Sequence, residues 1–347
     1  MKVDIQRVSV ETVVDKYIRD IKKDPKRAIR NLIDFGAQFS KGRFQKQFFH
    51  LSRRLMDDEN SKYYDLGKKL VMSVDAEKIK GFGINMGLHA FTRGAGEIRA
   101  REKKEGYNIP WSLTLHLRSD GLLTPHRVDQ LINEGMAEGI YAYHMFVEDT
   151  VAPQRELMEV MARFERCAFI VHIPPELVKP ENAEDFAALK NAAFSVYLAE
   201  DTGRAIGLLS ENRCMCSMTV LYDEREAEKI VNREFLSLPF LQHCIFAVFA
   251  AKGDCPLSQS ERVRETVRSI RDSGNPPLFL VDFYSDCLYV DEIISDDMCF
   301  LGIQPDGAVT RCTDLREAPT EQSLDTKSLH EILQRHKPKE QVIGKGY

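Results

Sequence analysis

Three histidines, His116, His144 and His172, stand 28 residues apart, each near the end of an apolar run of strand length. Neutral imidazoles on neighbouring strands can ligate zinc or another divalent cation. The same rings could line a pocket for a metal-free ligand, or simply be polar lining residues satisfied by hydrogen bonds. Glu148, Asp149, Glu200 and Asp201 follow strand-like runs near those ends. Paired carboxylates can divide acid and base roles when their environments differ, although polar loop residues after strands are also ordinary solvated positions. His116, His144, Glu148, Asp149, His172 and Glu200 form the candidate ligand-binding set. No residue type or spacing assigns a catalytic role, and no metal or cofactor is indicated by a motif.

The cysteines carry less. Cys214 and Cys216 lie two apart on a strand-like run beside Met215 and Met218. Residues i and i+2 share a strand face, so they could hold a soft metal or merely pack in a core. No C-x-x-C occurs among the eight cysteines. Thiolate sites normally draw two ligands from one tight turn, so neither an iron–sulfur nor a structural zinc site is expected.

The elements that must position these residues follow from periodicity. Residues 1–105 read as helices, with Val10, Val13, Val14, Tyr17, Ile18 and Ile21 at helical spacing and similar stripes around 27–37 and 44–56. From 111 the texture changes to strands at 111–117, 140–146, 167–173, 193–199, 214–222, 243–250 and 278–284. Helices fall between most of them, at 125–138, 152–165, 181–190, 223–235 and 258–272. Thr124-Pro125 supplies an N-cap and first-turn proline, Gly139 a stop, and Ser258 with Glu261 a capping box. The stretch between the fourth and fifth strands, Glu200 to Arg213, looks short, which predicts a reduced crossover helix. Pro305-Asp306-Gly307 predicts a hairpin turn between 299–304 and 308–312, followed by a helix at 327–336 and a mobile, polar, basic end.

Alternating strands and helices require parallel strands with crossover helices, in an open sheet or a full or partial barrel. No G-x-G-x-x-G or P-loop follows the first strand. A net charge of −5 argues against a dedicated nucleic-acid binder, and the basic run Arg99–Lys104 reads as a solvated helix end. The first thirty residues are amphipathic and charged, and no segment approaches the roughly 18 apolar residues of a membrane span. The cytoplasm is the expected location.

The order of landmarks then becomes recognisable. Gly106-Tyr-Asn-Ile-Pro-Trp111 leads into the first strand, Glu138-Gly139-Ile140-Tyr-Ala-Tyr143 into the second, and Arg166-Cys-Ala-Phe-Ile-Val171 forms the third. Pro277 to Phe283 and Ile303 to Cys312 complete the series. Together, over about residues 15 to 315, they resemble the radical S-adenosylmethionine superfamily, in the type with a helical N-terminal extension and a cysteine-bearing, SPASM-like C-terminal region. The resemblance implies a partial (β/α)6 TIM-like barrel over 106–285, preceded by a helical region (1–105) and followed by a small hairpin and helix appendage (286–347).

It also exposes what is missing. In that family a C-x-x-x-C-x-x-C loop after the first strand holds three irons of a [4Fe–4S] cluster. Here that loop reads Arg118-Ser-Asp-Gly-Leu-Leu-Thr124, without cysteine. Where the family has a Gly-Gly-Glu at the end of the second strand, this chain has Phe146-Val-Glu-Asp149. Cys312 matches a family cysteine, but Ile293 stands where its partner would be. The resemblance therefore implies a degenerate member without cluster chemistry that binds a protein, peptide or small ligand and assists an active homologue, recognising that enzyme or its peptide substrate. The alternative is an enzyme of another class reusing the barrel cavity, with a divalent metal on the three histidines.

Overall fold

A computed structural model describes residues 5–39, 42–149 and 154–336; the basic end expected to be mobile lies outside them. The chain opens with helices α1 (Ile5–Lys23), α2 (Pro25–Phe39), α3 (Arg43–Met56), α4 (Tyr63–Ser73) and α5 (Ala76–Ile84). A π-helical stretch over Asn85–Gly94 then runs into α6 (Ala95–Glu105). Ile18, Ile21, Ile29, Ile33, Tyr64 and Val71 form a core of their own between these helices. This is the packing the helical stripe demands.

The parallel unit follows as β1 (Ser112–Leu117), α7 (Pro125–Glu138), β2 (Ala142–Val147), α8 (Gln154–Arg163), β3 (Ala168–Ile173), α9 (Ala183–Ala188), β4 (Ala192–Tyr197) and α10 (Thr202–Glu211). It continues through β5 (Cys216–Tyr222), α11 (Glu224–Val231), β6 (Phe246–Ala251), α12 (Leu257–Ser273), β7 (Phe279–Asp282) and α13 (Phe283–Ser295). Last come β8 (Leu301–Ile303), β9 (Ala308–Thr313), β10 (Arg316–Ser323) and α14 (Leu329–His336). β1 to β7 pair in parallel and in sequence, as a partial TIM-like barrel requires.

The local signals explain α7. Thr124 accepts a hydrogen bond from the Arg127 backbone N–H, Pro125 sits in the first turn, and Gly139 closes the helix at φ +95°, where glycine has no Cβ penalty. Three expectations need correction. The crossover after β4 is a ten-residue helix, α10. Room for it exists because β4 stops at Tyr197 and β5 starts at Cys216. The Ser258–Glu261 capping box does not form, because the N-cap falls two residues earlier, at Pro256, and the helix begins at Leu257. The seventh strand ends at Asp282, whose side chain accepts from the Ser285 backbone N–H and so starts α13 at Phe283.

The N-terminal helices seal the lower end of the barrel. Val74, Leu66, Leu70 and Phe82 pack against Ala193, Met215 and Ile245. The buried Lys78 ammonium lies 2.9 Å from the Asn212 carbonyl oxygen, beside the C-terminus of α10, where a positive charge meets the negative helix end. α5 comes so close that a Cβ on Gly81 would stand 2.3 Å from the Lys190 carbonyl oxygen.

The hairpin predicted around Pro305–Gly307 forms between β8 and β9, and it joins the main sheet: β8 pairs in parallel with β1. The sheet order is β10-β9-β8-β1-β2-β3-β4-β5-β6-β7. Arg316 at the β9–β10 turn donates to the carbonyls of Gly253 (3.0 Å) and Cys255 (3.2 Å) in the loop after β6. The far end of the sheet thereby touches the opposite side of the barrel mouth.

Candidate functional site

Parallel register decides which inward side chains meet. Ser112 pairs with Ala142, an offset of 30 residues, so His116 lies beside Phe146 and Thr114 beside His144. Ala142 pairs with Ala168, an offset of 26, so Phe146 lies beside His172 and His144 beside Ile170. The even spacing of the histidines therefore does not put them on one level. His144 sits one pleat repeat below the other two.

Phe146 is sandwiched. Its ring centroid is 4.0 Å from that of His172, the planes 9° apart, and 5.2 Å from that of His116. Phe283, the first residue of α13, packs edge-on against His144 (4.9 Å) and Phe146 (5.1 Å). Trp111 closes the other side of His144 at 6.2 Å. These contacts have the offset or edge geometries that aromatic pairs favour. They fill the inside of the barrel with rings.

Two histidines are buried within this packing. His144 Nδ1 is 3.4 Å from His172 Nε2, His172 Nδ1 is 2.7 Å from Thr219 Oγ1, and Thr219 Oγ1 is 2.5 Å from Ser195 Oγ. Burial pushes the His144 imidazolium down to about 3 and, with His144 and His116 adding to it, His172 well below its ordinary value. Both rings are neutral at physiological pH. His144 Nε2 is buried with no hydrogen-bond partner.

His116 behaves oppositely. Its Nδ1 is 3.1 Å from Glu148 Oε1 and its Nε2 2.8 Å from Glu317 Oε1. Burial disfavours its charge, but Glu317 and Glu148 outweigh that and lift it to about 9, so the ring is an imidazolium at neutral pH. Glu317 also accepts from Tyr284 (3.4 Å), Gln304 (2.8 Å) and Thr310 (2.5 Å). Burial works against its charge, yet His116 and these donors hold its carboxyl below the ordinary value.

The other candidate residues are dispersed. Asp149 accepts from the Ser119 backbone N–H (2.8 Å) and hydroxyl (2.7 Å), tying the β1–α7 loop to the end of β2. Glu200 is exposed in the turn after β4, and Asp201 pairs only loosely with Arg204 at 3.7 Å. The Cys216 thiol donates to the His243 carbonyl (3.2 Å), while Cys214 lies 3.8 Å from the Lys78 ammonium. Both thiols are buried, and burial raises their pKa. Among the described residues no group of three His, Cys, Asp or Glu side chains is arranged to hold a metal ion. Glu317 and Phe283 were not singled out from the sequence. Phe283 reads there as the end of a strand, and Glu317 falls in a polar run without alternation.

A cluster with S-adenosylmethionine, the group this fold suggests, does not fit the residues at this mouth. The β1–α7 loop offers Arg118, paired with Asp120 at 2.5 Å, and Ser119, held by Asp149. Gly121 and Leu122 turn back on Pro305, whose carbonyl accepts from the Leu122 N–H at 2.7 Å. These are hard oxygen and nitrogen donors, where the cluster requires thiolates. Ile293, where the resemblance leads one to expect the partner of Cys312, is buried on α13.

No protein-family model and no curated protein sequence matches the chain. Solved structures do. Streptococcus suis SuiB superposes with a TM-score of 0.50 at 13% identity, over 78% of this chain and 80% of that one. SuiB bound to S-adenosylmethionine gives 0.50 at 12% identity, over 67% and 66%. SuiB bound to its precursor peptide SuiA gives 0.49 at 13% identity, over 67% of each. No helix among the described residues is long and apolar enough to cross a membrane. On the likeness to SuiB, the chain has the radical S-adenosylmethionine-like fold expected from the order of its landmarks.

Proposed function

We propose that this protein keeps a radical S-adenosylmethionine-like scaffold without cluster chemistry and acts in the cytoplasm by binding a protein or peptide partner, assisting an active enzyme of the same fold. The observation that carries this reading is the packing inside the barrel. Phe146 fills the space between His116 and His172, and Phe283 covers Phe146 and His144. A substrate and a cofactor of ordinary size need several hundred cubic ångströms of open cavity; these rings occupy the centre. The loop sequence Arg118–Thr124, without cysteine, agrees with it.

The alternative, a divalent metal on the three histidines, has less support. Phe146 stands between His116 and His172, and both nitrogens of His116 face carboxylates. What favours a binding role is the outside of the molecule: Phe48 and Leu51 are exposed on α3, as are Met72 on α4 and Tyr289 on α13. Large apolar side chains on otherwise charged helices suit a partner interface. The test is native co-purification from the source cell followed by crosslinking and mass spectrometry. A stoichiometric partner whose crosslinks map to α3 or α13 supports the reading. A chain that elutes alone, under conditions where the active homologue is present, overturns it.

A further inference from the structure

A cavity lies outside the barrel, where the β9–β10 turn approaches α12 and α13. Its volume is about 430 Å³, within the range of small-molecule sites. Leu257, Leu288, Met298, Phe300 and Leu315 give it an apolar floor. Met298 and Leu257 remain 53% and 39% exposed there. Leaving apolar surface in a concavity costs free energy that a bound apolar body would recover.

Two arginines face the same space: Arg264 from α12 and Arg311 from β9. Neither makes a hydrogen bond or ion pair with the described residues. The charge of Arg264 reaches the buried Asp282, which burial and then Asp286 hold at about 7, so that acid is only partly ionised at neutral pH. Glu261 and Asp314 also line the cavity, but neither forms an ion pair with these arginines. They set a limit on the charge that can enter: one negative head can sit between the guanidiniums, whereas a polyanion meets the carboxylates. A guanidinium presents paired N–H donors that match a carboxylate.

The turn that completes the cavity is strained. Asp314 and Leu315 have φ of 54° and 57°, and Thr313 pairs directly with Arg316 across them. A two-residue turn with both φ positive is the hairpin type that favours Asn-Gly. A leucine there is unfavourable, and its effect is to turn Leu315 into the cavity wall.

We propose that this cavity binds a small monocarboxylate with an apolar body, its head between Arg264 and Arg311 and its body on Leu257, Met298 and Phe300. The site is independent of the partner-binding role and of the barrel interior. The probe is decanoate, titrated calorimetrically into the full chain, with decan-1-ol as the uncharged control. Saturable 1:1 binding of decanoate, weakened at least about tenfold by Arg311→Gln or Arg264→Gln and by removal of the charge in decan-1-ol, is the expected result. The thermal midpoint of each variant without ligand establishes that it is folded. No binding at about 1 mM, equal affinity for decanoate and decan-1-ol, or undiminished binding in both arginine variants would overturn the site.

Discussion

His116 and Glu317 are 201 residues apart in the chain, yet the imidazole Nε2 lies 2.8 Å from the carboxylate Oε1. The contact joins β1 to β10 across the mouth of the barrel. With Arg316 holding the loop after β6, it fixes the last hairpin over the C-terminal ends of the strands, the face on which barrels of this type carry their chemistry.

Because His116 is raised to about 9, against about 6.5 in an unfolded chain, the folded state binds the extra proton between those two values. The stabilisation is complete below about pH 6.5 and is lost as pH rises through about 9. Its size is on the order of 3 kcal/mol. Urea unfolding should show stability falling from pH 6.5 to 9.5, and the slope should flatten in His116→Gln. An equally steep slope in that variant would mean another group titrates.

Removing Glu317 should release the hairpin. In Glu317→Gln the His116 titration, followed by NMR of the imidazole carbons, should move down towards the ordinary histidine range. In Glu317→Ala, hydrogen exchange over β9 and β10 should also rise. An unmoved titration would contradict the ion pair.

The buried pair titrates in the other direction. His144 is lowered to about 3 and His172 well below its ordinary value, in each case by burial. An unfolded chain binds protons at these positions below about 6.5 while the folded one does not, so stability is lost as pH falls from about 6.5 towards 3. Substituting both by Gln should make the acid limb of the stability profile shallower, provided the double variant keeps its near-UV circular dichroism.

Asp282 supplies an independent check on the junction of β7 and α13. Burial and then Asp286 raise its carboxyl to about 7, so the acid stabilises least when ionised, above that pH. Asp282→Asn keeps an oxygen to accept from the Ser285 N–H and should gain on the order of 2 kcal/mol more at pH 8 than at pH 5. Equal gains at both pH values would contradict the assignment.

Phe283→Ala should cost about 3–5 kcal/mol by opening the filled interior. A loss below about 1 kcal/mol, measured by urea unfolding, would show that the ring is not packed as described.

Much of this was readable beforehand and some was not, for identifiable reasons. The Thr124-Pro125 start and Gly139 stop of α7 are local signals, and the structure follows them residue for residue. The Pro305–Gly307 hairpin is equally local. α13 is hidden because the apolar run Leu278–Val281 resumes at Phe283 and Tyr284 after Asp282, while the side-chain hydrogen bond of Asp282 that begins the helix is a single contact. The 28-residue rhythm of the histidines suggests one level, but strand offsets of 30 and 26 put His144 one pleat repeat below His116 and His172, with Phe146 between those two. The pairing of His116 with Glu317 depends on the hairpin reaching back to β1, which no spacing in the sequence encodes.

The most direct test of the central claim is iron and acid-labile sulfide content after anaerobic reconstitution of the full chain, with S-adenosylmethionine binding measured on the same sample. The packing of Phe146 and Phe283, and the loop that holds Ser119 against Asp149, predict substoichiometric iron and sulfide and no saturable S-adenosylmethionine binding. About four irons and four sulfides per chain, with S-adenosylmethionine bound, would contradict the account.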